Sequence, residues 1–185
     1  MNIVIRKMNE NDYEPLCRLL SDDRVMEHLE PPFSDKRTKQ FMEGNGLSEP
    51  ARIFSVDKDN EFIGYVIYHP YDDDSMEIGW VLSPEYWGRG IATTLTEMLV
   101  QQAREEGKKA IIECSPKQKA TKCIAEKCGF QYQGKADGLD IYTRALNERD
   151  RYAERELKRS TNLFGLSVER LSDHYLVREL TRFWI

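Results

Sequence analysis

Apolar and polar positions change period along this chain, and each change marks an element. Residues 3–6, Ile-Val-Ile-Arg, alternate weakly and predict a first strand. Asn11 or Asp12 can cap a helix carrying Leu16, Leu19 and Leu20, with Pro15 tolerated in its first turn. Pro31 and Pro32 break any helix across 24–33. Ser34 then caps a short second helix through Phe41 and Met42, which Gly44 and Gly46 end. Residues 52–56 and 62–68 read as strands joined by the polar turn Asp57-Lys58-Asp59-Asn60, and Tyr71-Asp72-Asp73-Asp74 is a second turn.

The stretch 76–106, MEIGWVLSPEYWGRGIATTLTEMLVQQAREE, organises the remainder. It opens as an apolar strand that Ser83 and Pro84 stop, because proline has no N–H for a neighbouring strand. Gly88, Arg89 and Gly90 follow, and Ile91, Leu95, Met98, Leu99 and Ala103 recur at helical spacing. Residues 109–114 are the next strand, reached through a helical crossover and so parallel to the strand at Met76. A helix at 121–127 ends at Gly129, and strands 130–134 and 139–145 form a hairpin around Ala136-Asp137-Gly138. The order β-α-α-β-β-β-α-β-α-β-β predicts an α+β fold, layered α/β/α, on a mixed, mostly antiparallel sheet with helices on both faces. Beyond Leu146 comes the mixed-charge run NERDRYAERELKR, and then apolar positions from Leu163 to Trp184. A domain over 1–146 and a C-terminal helical extension over 147–185 are expected, the extension needing this domain or a second subunit to cover its apolar face.

Charge narrows the function. With 185 residues, 40% hydrophobic and 32% charged, the chain suits a soluble globular protein. A net charge of −5 supplies no basic field toward nucleic acid or anionic membrane. No apolar run spans a bilayer and no leader-like h-region opens the chain, so a cytoplasmic protein is expected, with neither nucleic-acid nor membrane partner. Cys17, Cys114, Cys123 and Cys128, with His28, His69 and His174, share no metal-ligand spacing; no metal is expected and structural roles are assigned to them.

Strand, glycine turn and helix aim unpaired backbone N–H groups at one point, where the helix dipole adds roughly half a positive charge. Such a point binds phosphate. A P-loop is excluded because no lysine follows the second glycine, and a dinucleotide turn is weak because Thr93 stands where the third glycine belongs.

The segment YWGRGIAT resembles the acyl-CoA loop of the GCN5-related N-acetyltransferases, with the pattern Gln/Arg-x-x-Gly-x-Gly/Ala. Trp87 stands in the Gln/Arg place, and Gly88, Arg89, Gly90, Ile91 and Ala92 follow in register. The form resembles the ribosomal-protein-type (RimJ/RimL-like) branch, and the likeness spans roughly residues 3–146. It implies the acyl-CoA N-acyltransferase fold, acetyl-CoA as cosubstrate, and an amine acceptor, a protein N-terminus or a small molecule. The resemblance assigns pyrophosphate binding to the backbone N–H groups of Trp87 through Ala92, with help from Arg89 and the Thr93 hydroxyl. Thioester polarisation falls to backbone N–H near the strand's end, at Val81 and Leu82.

Deprotonating the amine sets the demand on a base. A lysine-like amine costs about 4.6 kcal/mol to deprotonate at pH 7, an α-amine only about 1. Glu77, early in the strand where family members often carry a carboxylate, is the first candidate, and Glu30 and Glu27 are weaker ones. Relatives often place a tyrosine four positions before the Gly-Phe glycine to protonate the leaving thiolate. Ala125 stands there, and Thr121 matches the hydroxyl that this branch uses instead. Gln118 occupies the place of an asparagine that contacts the pantetheine arm. Direct transfer is expected, with no nucleophilic role for Cys114 or Cys123. The missing tyrosine, Gln118 and the tail leave a second reading, a non-catalytic acyl-CoA-binding module that recruits a partner. The tail also raises a homodimer.

Overall fold

The computed structural model of the protein describes residues 2–146, so the expected extension and its dimer lie outside the described residues. Seven strands form one sheet in the order β1-β2-β3-β4-β5-β7-β6. They are β1 (Ile3–Arg6), β2 (Ile53–Lys58), β3 (Glu61–Asp72), β4 (Ser75–Leu82), β5 (Lys109–Cys114), β6 (Gln131–Ala136) and β7 (Leu139–Arg144). The helices are α1 (Tyr13–Leu20), α2 (Asp23–Met26), α3 (Asp35–Phe41), α4 (Ile91–Glu105) and α5 (Lys119–Lys127). Among the described residues only the β4–β5 pair is parallel, as the helical crossover through α4 requires. This is the expected α/β/α arrangement. Among the described residues, no helix is long and apolar enough to cross a membrane.

Two cores lie on opposite faces of the sheet, as strand alternation demands. On one face Met76, Ile78 and Leu82 pack with Leu95, Leu99 and Ala103 of α4 and with Ala125 of α5. On the other, Ile53, Tyr65 and Val81 pack with Leu16, Leu19 and Leu20 of α1 and with Phe41 of α3. Arg6 ties the first strand down, bonding Asp12 and Asp57, while the buried Ser55 hydroxyl donates to Asp12 at 2.8 Å.

Several boundaries move for physical reasons. Gly44 does not end the second helix, which continues as a π-turn through Met42–Gly46, closed by the Leu47 N–H donating to the Met42 carbonyl. Gly46 sits so close to Met8 that a Cβ there would meet its sulfur at 2.4 Å. Asp59 and Asn60 alone turn β2 into β3, both with positive φ, and Asp57 and Lys58 extend the ladder. Tyr71 and Asp72 belong to β3, and the turn is Asp73-Asp74, where the Asp72 carboxylate accepts the Asp74 N–H at 2.9 Å. Helix α5 starts at Lys119 rather than Thr121, and the last hairpin turns at Asp137-Gly138.

Candidate active site

Strand β4 pairs with β5 over only three positions, Ser75 with Lys109, Met76 with Ala110 and Glu77 with Ile111. Beyond Glu77 the strands part, while β4 stays paired with β3 through Leu82. Backbone alternation identifies which groups face the gap. The Asp74 carbonyl accepts the Lys109 N–H on the β5 side, and the Ser83 N–H donates to Ile63 on the β3 side. Even-numbered residues of β4 therefore present their backbone to the gap. Trp80 and Leu82 point their N–H groups into it, whereas Val81 turns its backbone toward its partner Tyr65 in β3. This corrects the assignment of Val81 as a backbone donor, and Trp80 takes its place. The Val81 side chain still lines the cavity.

Trp87 is also reassigned. Its backbone N–H donates to the Pro84 carbonyl at 3.1 Å, and its indole Nε1 donates to the Leu82 carbonyl at 2.8 Å. Both bonds pin the loop to the end of β4, leaving no Trp87 donor for an anion. Gly88 and Gly90 hold φ of +69° and +79°, values that L side chains rarely adopt. Gly90 is the residue before α4, and its carbonyl accepts from Thr94. Among the described residues, the N–H groups of Gly88, Arg89, Gly90, Ile91, Ala92 and Thr93 make no hydrogen bond. Six donors thus converge at the start of α4, at the end of the gap. Arg89 lies near the Tyr86 ring, 5.7 Å from its centroid. The hydroxyls of Thr94 and Thr96 turn back onto helix carbonyls, and that of Thr93 does not.

A cavity of about 720 Å³ opens against β4 from Glu77 to Val81. Glu77, Gly79, Val81, Gln118 and Thr121 all border it. The Gln118 side-chain oxygen accepts the Ser115 N–H at 2.9 Å, so this residue shapes the turn that leads into α5. Thr121 lies within the first turn of α5 and takes no capping role. Glu30 borders the cavity too, but Arg37 engages it, and Glu27 is exposed and away from it. Burial pushes Glu30 up, against the pull of Arg37.

Glu77 is different. Its side chain is 14% exposed, and its Oε2 takes no hydrogen bond among the described residues. His69 Nε2 lies 3.4 Å from that oxygen. The imidazole Nδ1 is 3.0 Å from the Pro70 carbonyl, so Nδ1 carries the proton and Nε2 turns a lone pair toward Glu77. Burial holds His69 below its usual range, in the neutral form that cannot compensate an ionised carboxylate. Burial first, and then the charge of Glu113, push Glu77 up to about 7, with Arg52 opposing. His69, expected to be structural, and Arg52 and Trp80, for which no site role was expected, join the site here. Cys114 is buried, and its thiol is pushed up to about 11 by burial and by Asp140.

The acetyltransferase (GNAT) domain model matches residues 2–131. The chain belongs to this family. It is 23% identical over 137 residues to the uncharacterized N-acetyltransferase YnaD of Bacillus subtilis, covering 71% of this chain and 81% of that protein. A GNAT-family acetyltransferase from Bacillus anthracis superposes with a TM-score of 0.67 at 25% identity, covering 80% of this chain and 96% of that one. RimL, a ribosomal L7/L12 alpha-N-protein acetyltransferase in complex with coenzyme A, superposes with a TM-score of 0.69 at 18% identity, over 79% and 95% of the two chains. The seven-stranded sheet with its helices is the GNAT acyl-CoA N-acyltransferase fold, and the chain is an acetyltransferase.

Proposed function

We propose that the protein moves an acetyl group from acetyl-CoA directly onto a primary amine, a protein N-terminus or a small molecule. The observation that carries this reading is the parted β4, with six free N–H groups at one end and an unpaired buried carboxylate at the other. Acetyl-CoA supplies an activated thioester. The N–H groups of Gly88 through Thr93, with Arg89, hold the pyrophosphate. Trp80 and Leu82 donate along the pantetheine arm and to the thioester oxygen as negative charge develops there. Gln118 and Thr121 border the arm from the side of α5.

Glu77 removes the amine proton, directly or through a water, and a carboxylate held near 7 accepts it at little cost near neutrality. The C–N bond forms as the C–S bond breaks, and the thiolate leaves with a hydrogen bond from the Thr121 hydroxyl and takes its proton from solvent. A thiol of ordinary pKa near 8.5 needs modest help in leaving. No acyl-enzyme is required, and a Cys114 thiol raised to about 11 is a poor nucleophile at neutral pH. The protein is read as cytoplasmic and as a homodimer.

Calorimetry with acetyl-CoA tests the binding half. Micromolar affinity is expected, abolished by Gly90→Glu, which puts a carboxylate among the donors, and only weakened by Gly90→Ala, which imposes the same φ strain without charge. Absence of binding at millimolar acetyl-CoA would reject the reading.

A further inference from the structure

The acceptor half of the cavity holds two unpartnered groups of opposite sign. One is Glu77. The other is Arg52, half-buried and bordering the same cavity, whose guanidinium makes no hydrogen bond or ion pair among the described residues. Every neighbouring arginine in this region is engaged. Arg6 bonds Asp12 and Asp57, and Arg37 bonds Glu30 and lies over the Phe33 ring at 4.0 Å.

The position of Arg52 is fixed by its backbone. Its N–H donates to the Asn45 carbonyl at 2.7 Å, and its carbonyl accepts the Tyr68 N–H at 2.9 Å. It is therefore held between the π-turn after α3 and the start of β2. Its charge acts on both Glu77 and His69, so it reaches the face of the sheet that these two share. Tyr68, on the opposite face, is influenced by Glu106 and Glu105 and not by Arg52. A half-buried guanidinium with no bonded counter-ion is left to meet a ligand, and its planar fork matches a carboxylate.

We propose that the acceptor is a small amine bearing its own carboxylate, an amino acid, with the amine at Glu77 and the carboxylate on Arg52. The inference rests on the acetyl-transfer reading above. Leu29, Phe33, Phe41, Tyr65 and Ile67 wall this part of the cavity, so the rest of the acceptor is apolar. A polyamine is disfavoured, since its second ammonium would approach Arg52 with no free carboxylate beside it.

The test uses the full chain, acetyl-CoA and amine pairs that differ only in the carboxylate: leucine against isopentylamine, phenylalanine against phenethylamine. Spermidine and a tripeptide amide represent the other classes. The amino acid of each pair is expected to exceed its amine in kcat/KM by about tenfold or more, the worth of one charge-assisted contact. Arg52→Met should collapse that ratio toward one by raising KM for the amino acid, and Arg52→Lys should restore part of it. Comparing ratios cancels the differing basicity of the amines, and acetyl-CoA affinity shows that each variant is folded. Equal rates within each pair, faster turnover of spermidine or the peptide amide, or an equal loss on both members in Arg52→Met would overturn the carboxylate site. Silence on every amine despite acetyl-CoA binding would strike down the transfer reading itself, and the carboxylate site with it.

Discussion

Glu77 owes its raised pKa to what its neighbours withhold. Its carboxylate sits beside a neutral imidazole and a second acid, so ionising it in the folded protein is opposed until about pH 7. Activity should therefore rise with pH through about 7, measured as kcat/KM for a fixed amine, and Glu77→Gln should lower turnover roughly 10²–10⁴-fold while acetyl-CoA still binds. A rate in Glu77→Gln within threefold of wild type would remove it as the base. The same shift has a cost in stability. Because the folded-state pKa is raised, folding is favoured while the group is protonated, and that stability is lost as pH climbs from about 4.5 to about 7. A difference of about 2.5 units corresponds to about 3 kcal/mol. Denaturation of Glu77→Gln at pH 8 should show a gain of that order, vanishing at pH 4.5.

At the scale of elements, the β3–β4 hairpin makes the site. Its strands, the glycine turn and α4 were legible from apolar periodicity, proline placement and the spacing of Gly88 and Gly90. Its register was not. A two-residue turn at Asp73-Asp74 would set His69 opposite Ile78, on the wrong face. The irregularity at Tyr71 shifts the ladder by one and sets His69 opposite Glu77. No pattern of apolar residues announces that bulge, so the His69–Glu77 contact stayed hidden, as did Arg52, which lies just outside its strand. The assignment of Val81 failed for a related reason, since which amides face a gap depends on parity that only the ladder fixes. Gly64 carries the other end of the hairpin. With φ of +151°, a Cβ there would meet the Val81 carbonyl oxygen at 2.1 Å. Gly64→Ala should cost about 2–4 kcal/mol in chemical denaturation and weaken acetyl-CoA binding, because β4 must move. An unchanged midpoint would show that the strands yield more easily than the contact implies.

Across the whole molecule, two cores share one sheet, and the gap between β4 and β5 lies where that sheet is least complete. A ligand that fills it binds only the folded chain. At a hundredfold excess over Kd, acetyl-CoA should add about 2.7 kcal/mol of stability, read as a rise in melting temperature that Gly90→Glu abolishes. The layered architecture was legible because each element's pattern agreed with its place. The cavity lining was not, since Glu30, Arg52 and Glu77 come from segments brought together only by folding.

The parted strands also leave an internal edge. Trp80 and Leu82 expose N–H groups as an unmated border strand would, yet in the middle of the sheet rather than at its rim. An extended pantetheine arm, with amides of its own, would lie along that border as an eighth strand made of cofactor. Those two amides should then exchange with deuterium within seconds in the empty protein and slow markedly once it is loaded, while the amide of Val81, already committed to β3, should be slow in both.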